Sequence, residues 1–185
     1  MARWFALSGE DNDSYMCGGA SALTEPGRIP VCPACGFKID TFYVDASFRV
    51  KRRDFDLSFT YDGYCIVSRA FERGCLASDL TGASFSALSA DADFLVFLPK
   101  PIVQFDVSRR NTRFGERCTV CGQFDSVAGA IPPFLATAPT SDFARTDILF
   151  GSGNERHPLI IASERAKGSL EVANLSGLQF HEAAT

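Results

Sequence analysis

The chain has 185 residues, 46% of them hydrophobic, with 22 acidic against 18 basic side chains and a net charge of −4. That length and apolar share suffice for a real core in one domain or two small lobes, so no external staple is required. The charge has the wrong sign for a protein that embraces a phosphate backbone, and no apolar run is long enough to read as a membrane span.

Arg3 to Leu7 is the first strand expected, and the acids that follow it end the apolar run too early for a secretory signal. Seven cysteines, an odd number, with no export signal in view point to a reducing cytoplasm rather than a disulfide scaffold. Next comes Cys32-Pro33-Ala34-Cys35-Gly36, which recurs as Cys118-Thr119-Val120-Cys121-Gly122. Two thiolates three positions apart on a tight turn can face one ion, and the glycine allows positive φ just beyond the second sulfur. Two such turns supply four thiolates, so Cys32, Cys35, Cys118 and Cys121 are expected to hold one structural zinc ion. A redox CxxC sits between a strand and a helix, and neither knuckle is followed by a convincing helix.

Thr41 to Val50 and Phe55 to Phe59 read as further strands, with Lys51-Arg52-Arg53 between them as a solvated turn. Tyr64 to Val67 is a short apolar run suited to a buried strand, and Ser68 stands where an N-cap would start a helix. Cys65 and Cys75 read as buried small apolar residues, and Cys17 has no role assigned. Phe94 to Leu98 and Ile102 to Val107 are strand candidates. Asp125 to Ser141, with Pro132, Pro133 and Pro139, suits an extended surface loop.

Residues 66–85 match residues 161–180, with Ile66/Ile161, Ser68/Ser163, Leu80/Leu175, Thr81/Ser176, Gly82/Gly177 and Phe85/Phe180 in register. Each copy reads as strand, helix, strand. In the second, Leu159 to Ala162 form the strand, Ser163 caps, Ala166, Leu170 and Ala173 make an apolar stripe, and Gly177 ends the helix. The fold class expected is α+β, rich in β, with two pseudo-repeated strand-helix-strand units around the zinc-knuckle pair. It would be one domain over residues 1–185, with lobes of about 1–90 and 91–185 joined at the shared zinc-ribbon-like site.

Catalytic constellations are thin. His157 precedes Pro158 in what reads as a polar turn, and His181 lies on a terminal strand. There is no GxSxG elbow, phosphate loop or HExxH helix, and Gly151-Ser152-Gly153-Asn154 reads as a turn. These absences argue against an enzyme.

The two knuckles, the stretch Asp142-Phe143-Ala144-Arg145-Thr146-Asp147-Ile148 leading into Gly151 to Leu159, and the ending Leu175-Ser176-Gly177-Leu178-Gln179-Phe180 resemble the double-CXXCG motif family. The likeness runs in order over most of the chain, strongest from Arg117 onward and loose between Thr41 and Asp106. That family comprises immunity proteins of contact-dependent or secreted polymorphic toxins, including Sit-type and type VI secreted ones. The resemblance implies a cytoplasmic antitoxin whose partner is a cognate toxin, of nuclease type, bound by direct occlusion without nucleic acid or membrane. An acidic surface would mimic phosphate in a basic groove, and Asp142, Asp147 and Glu155 are the candidate contacts. Two other classes compete. A zinc-ribbon nucleic-acid binder would use Arg109, Arg110, Arg113 and Arg117, here read as the rim of the zinc site. A thiol oxidoreductase would need a low-pKa CxxC thiol.

Overall fold

A computed structural model describes residues 2–18, 23 and 29–185. Within them the chain is mixed α and β, mostly strand. The strands are β1 (Trp4–Asp11), β2 (Leu57–Phe59), β3 (Cys65–Ser68), β4 (Phe85–Leu88), β5 (Asp91–Phe97), β6 (Ile102–Val103), β7 (Arg113–Phe114), β8 (Ser126–Ala128), β9 (Phe143–Ser152), β10 (His157–Ser163) and β11 (Leu178–Ala183). The helices are α1 (Arg69–Ala77), α2 (Val107–Arg110) and α3 (Glu164–Val172), with a 3-10 turn at Gly153–Glu155. None is long and apolar enough to cross a membrane.

All 11 strands join one sheet, ordered β4-β5-β3-β2-β1-β10-β9-β8-β7, with β11 also on β1 and β6 also on β9. β5 pairs antiparallel with both β3 and β4, and β1 pairs antiparallel with both β10 and β11. Each strand-helix-strand unit therefore has parallel outer strands with a third strand between them, not a direct crossover. The middle strand lies outside both units, so the halves of the chain do not form separate sheets. Gly9 marks where β1 changes neighbour from β11 to β2, and a Cβ there would come within 2.5 Å of Leu57 Cδ2 and 2.7 Å of the Gly177 carbonyl.

Alternation along the strands fills both faces. Val67, Leu95 and Phe97 point to a core with Phe71 and Cys75 of α1 and Ala166 and Leu170 of α3. Their neighbours Ile66, Phe94 and Val96 point the other way, to Met16, Cys17, Ile29, Phe48 and Val50. A third cluster, around Trp4, Phe105, Leu135, Ala144 and Ile161, fills that second kind of face farther along the sheet. One face is thus roofed by two helices and the other by irregular chain.

Ser68 and Ser163 do cap their helices, accepting from Phe71 N at 3.2 Å and Ala166 N at 3.0 Å. Each serine hydroxyl donates in turn to a carboxylate, Ser68 to Asp56 at 2.6 Å and Ser163 to Asp142 at 2.8 Å. Those carboxylates also reach the other unit. Asp142 Oδ2 accepts from Thr81 N at 2.9 Å and Thr81 Oγ1 at 2.8 Å, while Asp56 Oδ2 accepts from Ser176 N at 2.9 Å and Ser176 Oγ at 3.0 Å. The glycines that follow, Gly82 and Gly177, both have φ of +82°, and a Cβ on either would strike a backbone carbonyl, Phe143 O at 2.2 Å or Leu57 O at 2.3 Å. Asp142 alone adds Arg165, whose Nε and Nη2 grip it at 3.0 and 2.5 Å and whose remaining donors reach the carbonyls of Ser78 and Asp79 at the end of α1.

Several expectations are revised. Thr41 to Val50 is a run of turns, because the Asp40 and Asp45 carboxylates accept from Phe42 N and Ser47 N two residues on and divert the backbone from a ladder. Ile102 to Val107 is strand only over its first two residues, since Asp106 caps α2 through Arg109 N. Asp125 to Ser141 contains β8, and its Leu135 is buried and bridged to Phe105. His157 opens β10 instead of sitting in a turn. Asn174 at φ +52° and Asp79 at φ +48° are the left-handed residues just past the helices, a place expected for Gly177. His181 on β11 and the buried Cys65 and Cys75 are as expected.

Burial alone would raise the Asp142 carboxyl, but the Arg165 guanidinium and the Thr81 and Ser163 donors hold it well below the usual carboxylate range. A depressed folded-state pKa stabilises fully above the unfolded value of about 4 and is lost as pH falls toward the folded value. Asp142→Asn is expected to cost about 2–4 kcal/mol near neutral pH by leaving Arg165 without its charge partner. Urea midpoints at neutral pH and at about pH 3 check this: the gap between the two proteins should narrow in acid. A gap that stays constant refutes the assignment.

Candidate metal centre

Each knuckle is the turn of a small antiparallel hairpin. In the first, Val31 bridges Lys38, Cys32 N donates to Phe37 O and Gly36 N to Cys32 O, both at 2.8 Å. In the second, Arg117 bridges Phe124, Cys118 N donates to Gln123 O at 2.8 Å and Gly122 N to Cys118 O at 2.9 Å. Gly36 and Gly122 have φ of +73° and +74°, and a Cβ on Gly36 would meet nothing within 4 Å. Conformation, not space, requires glycine there.

The second hairpin grows from the sheet. Its arms continue down as β7 and β8, and β8 pairs with the end of β9. The first hairpin is docked onto it by side chains that satisfy its backbone. Gln123 Nε2 donates to Lys38 O at 2.8 Å, and Asn154 accepts from Lys38 N at 2.7 Å while donating to Gly36 O at 3.1 Å. Arg156, buried at 6% exposure, donates to Gln123 Oε1 at 2.6 Å and Gly153 O at 2.8 Å, and its guanidinium lies 5.0 Å from the Phe37 ring. The turn between β9 and β10 is thus the block on which both knuckles are aligned.

The four sulfurs lie within 4.8 Å of one another, with Cys32 to Cys118 at 3.9 Å and Cys35 to Cys121 at 3.5 Å. A tetrahedral ion with metal–sulfur bonds of about 2.3 Å needs sulfurs about 3.8 Å apart, so the set fits a metal ion. These separations are far too long for disulfides, and all four cysteines are free. Amides of Cys35 and Ala34 pull the Cys32 thiol below its ordinary pKa, and those of Cys121 and Val120 bring Cys118 to about 6. Burial pushes Cys35 up to about 12, so a metal must displace its proton. Burial lowers the Arg156 guanidinium while the Cys121 and Cys35 sulfurs raise it, which marks Arg156 as the cation facing this sulfur charge. Four protein ligands would fill the coordination of a tetrahedral ion and leave no open position.

Of the arginines expected at the rim, Arg117 alone touches a knuckle, donating to Gly122 O at 2.9 Å. Arg109 lies 4.5 Å from the Phe134 ring and Arg110 donates to Ile131 O. Arg156, Asn154 and Gln123 were not singled out in the sequence. Of the turn expected over Gly151 to Asn154, Gly151 and Ser152 instead end β9 paired to β8, and only Gly153 and Asn154 lie in the 3-10 turn, whose aligning role tertiary contacts reveal.

The three candidate acids do not share a surface. Asp142 is buried and committed to Arg165, Thr81 and Ser163, and it precedes β9, whereas Glu155 follows it. Ten residues of strand separate them, roughly 30 Å. Asp147 and Glu155 are exposed, with Asp147 accepting from Phe105 N at 2.9 Å.

No protein-family model matches the chain, and no curated protein matches it.

The purified chain is expected to carry about one equivalent of metal, and stripping it with a chelator should cost about 4 kcal/mol, a fall in Tm of roughly 10 °C. Arg156→Met should fold yet weaken metal retention about 10–100-fold in a chelator competition, because it removes the cation and the Gln123 clamp. Unchanged retention in that variant would show that Arg156 plays no part in holding the ion.

Proposed function

We propose that this chain is a cytoplasmic immunity protein that binds a cognate secreted toxin of nuclease type and occludes it, with one zinc ion as its internal tie. The observation that carries the reading is that the two CxxCG motifs, on which the resemblance to the double-CXXCG family rests, come together as a single four-thiol centre. Zinc suits the set because paired hairpin knuckles are the habitual frame of structural zinc, and a soft sulfur cage without an open position gives the ion nothing to catalyse. Iron would fit the same sulfurs, and elemental analysis separates the two.

Inhibition of this kind needs a rigid body and a complementary surface. Asp147 and Glu155 remain candidates for it, being exposed acids. Asp142 leaves the set, since its oxygens are engaged inside the protein. The net charge of −4 speeds encounter with a basic partner by long-range attraction. We also read the two strand-helix-strand units as pseudo-repeats about an approximate two-fold, supported by the reciprocal Asp56–Ser176 and Asp142–Thr81 contacts and the paired Gly82 and Gly177 approaches.

A second reading, nucleic-acid binding, draws on one observation: the hairpin bearing the second knuckle exposes Arg113, Phe114 and Arg117. Glu116 and Asp125 stand across from each other on the same hairpin and offset that charge.

Cells expressing the toxin of the adjacent reading frame should survive when this chain is co-expressed and die when it is not. Equal killing in both refutes the immunity reading. Rescue that persists in the Asp147→Ala, Glu155→Ala double variant moves the contact elsewhere. A salt-sensitive shift of labelled DNA by the metal-loaded protein, without rescue, would establish the second reading.

A further inference from the structure

A cavity of about 180 Å³ lies where the irregular residues 41–44 meet the sheet, bounded by β2, β3, β5 and β10. Its walls are chiefly apolar, with Phe42, Phe59, Val96, Phe97, Pro158 and Ile160 among them. Protein interiors are close-packed, and an apolar space of this size departs from that rule. For scale, an apolar cavity of about 150 Å³ takes up benzene.

Two charged side chains also border it, Asp62 and Arg156, and their opposite signs leave the walls with no net charge. Both are engaged elsewhere, Asp62 with the amides of Met16 and Cys17 and Arg156 with Gln123 and the Gly153 carbonyl. The Tyr64 hydroxyl is spent on the Tyr43 carbonyl. Thr41 and Ser86 bring hydroxyls that either donate or accept, so they do not select a ligand. His157 does select. Its Nδ1 lies 3.0 Å from the Glu155 carbonyl, which can only accept, so in the neutral ring the proton sits on Nδ1. Nε2 is then an acceptor with no partner among the described residues. The imidazole is held in place by the Phe59 ring, 6.1 Å away between centres, and by Gly63, where a Cβ would come within 2.4 Å of Nδ1.

We propose that this cavity binds a small neutral aromatic molecule carrying one O–H or N–H donor, its ring enclosed by Phe42, Phe59 and Phe97 and its donor directed to His157 Nε2. A charged ring is excluded, because apolar walls offer an ion no replacement for its water. The site does not depend on the toxin reading. A molecule there would tie residues 41–44, which form no strand of their own, to the sheet.

Saturation-transfer NMR on the full, metal-loaded chain at about pH 8, with phenol, its methyl ether anisole and benzoate as probes, tests it. Phenol should receive saturation and bind about 5–10-fold tighter than anisole, which keeps the ring and lacks the donor, while benzoate should receive none. His157→Phe should retain anisole and bring the two dissociation constants together. Should that variant fail to fold, the wild type decides through its imidazole nitrogens, because the chain has only two histidines. The His157 Nε2 resonance must shift with phenol and not with anisole, and His181, whose Nε2 already meets Ser8 Oγ at 3.0 Å, serves as the reference. No phenol saturation, equal saturation of benzoate, equal affinity for phenol and anisole, a preference that survives His157→Phe, or a His157 resonance indifferent to phenol overturns the proposal.

Discussion

The constraint on which this structure depends is that an 11-stranded sheet has two faces to bury and the described chain has only two helices long enough to cover one of them. The opposite face is roofed by segments with little regular structure, among them Met16, Ile29, Phe48 and Val50. Such a roof has few backbone ladders to hold it in register, and its order must come from side-chain tethers or an added crosslink. A metal ion held by the four cysteines would serve that need. Cys32 and Cys35 belong to the irregular roof, while Cys118 and Cys121 cap a hairpin rooted on β9, and an ion joining residues 86 apart would close a loop whose entropy the folded state otherwise meets alone.

The helical face is tied by a different device. Asp56 and Asp142 each join the N-cap of one helix to the segment that leaves the other, so neither unit can shift without breaking charge-assisted hydrogen bonds in both. The close approaches at Gly82 and Gly177 are part of the same device: the carboxylate contact is possible only because no Cβ separates the passing backbones. The carboxylates tie one face of the sheet, and an ion at the four cysteines would tie the other.

What was legible in the sequence follows the range of the interactions. The CxxCG turns and the Ser68 and Ser163 caps are local, so spacing alone revealed them, and the buried strand at Cys65 to Val67 followed from its apolar run. Thr41 to Val50 misled because its β-prone Phe, Tyr and Val outweighed the two aspartates that turn the chain. Asp142 read as a surface acid because nothing nearby in sequence discloses Arg165, or Thr81 61 positions away. The short pairing of β8 with β9 and the insertion of β1 between β10 and β11 are likewise long-range, and no periodicity announces them.

The two regions also lie apart along β9. Asp142 lies before β9 on the helix side and Glu155 beyond its far end, beside the knuckles, so a partner large enough to touch both would have to span the sheet. The exposed groups that cluster, Tyr15, Tyr61, Asp13 and Glu155, gather instead toward the four-cysteine end, where the Tyr61 hydroxyl donates to Asp13 at 2.9 Å. Aromatic rings fixed by neighbours give contact area at small entropic cost, and carboxylates beside them would suit the basic partner proposed above. On the immunity reading proposed above, this end of the sheet, beside the four cysteines, is where Glu155 would meet the toxin.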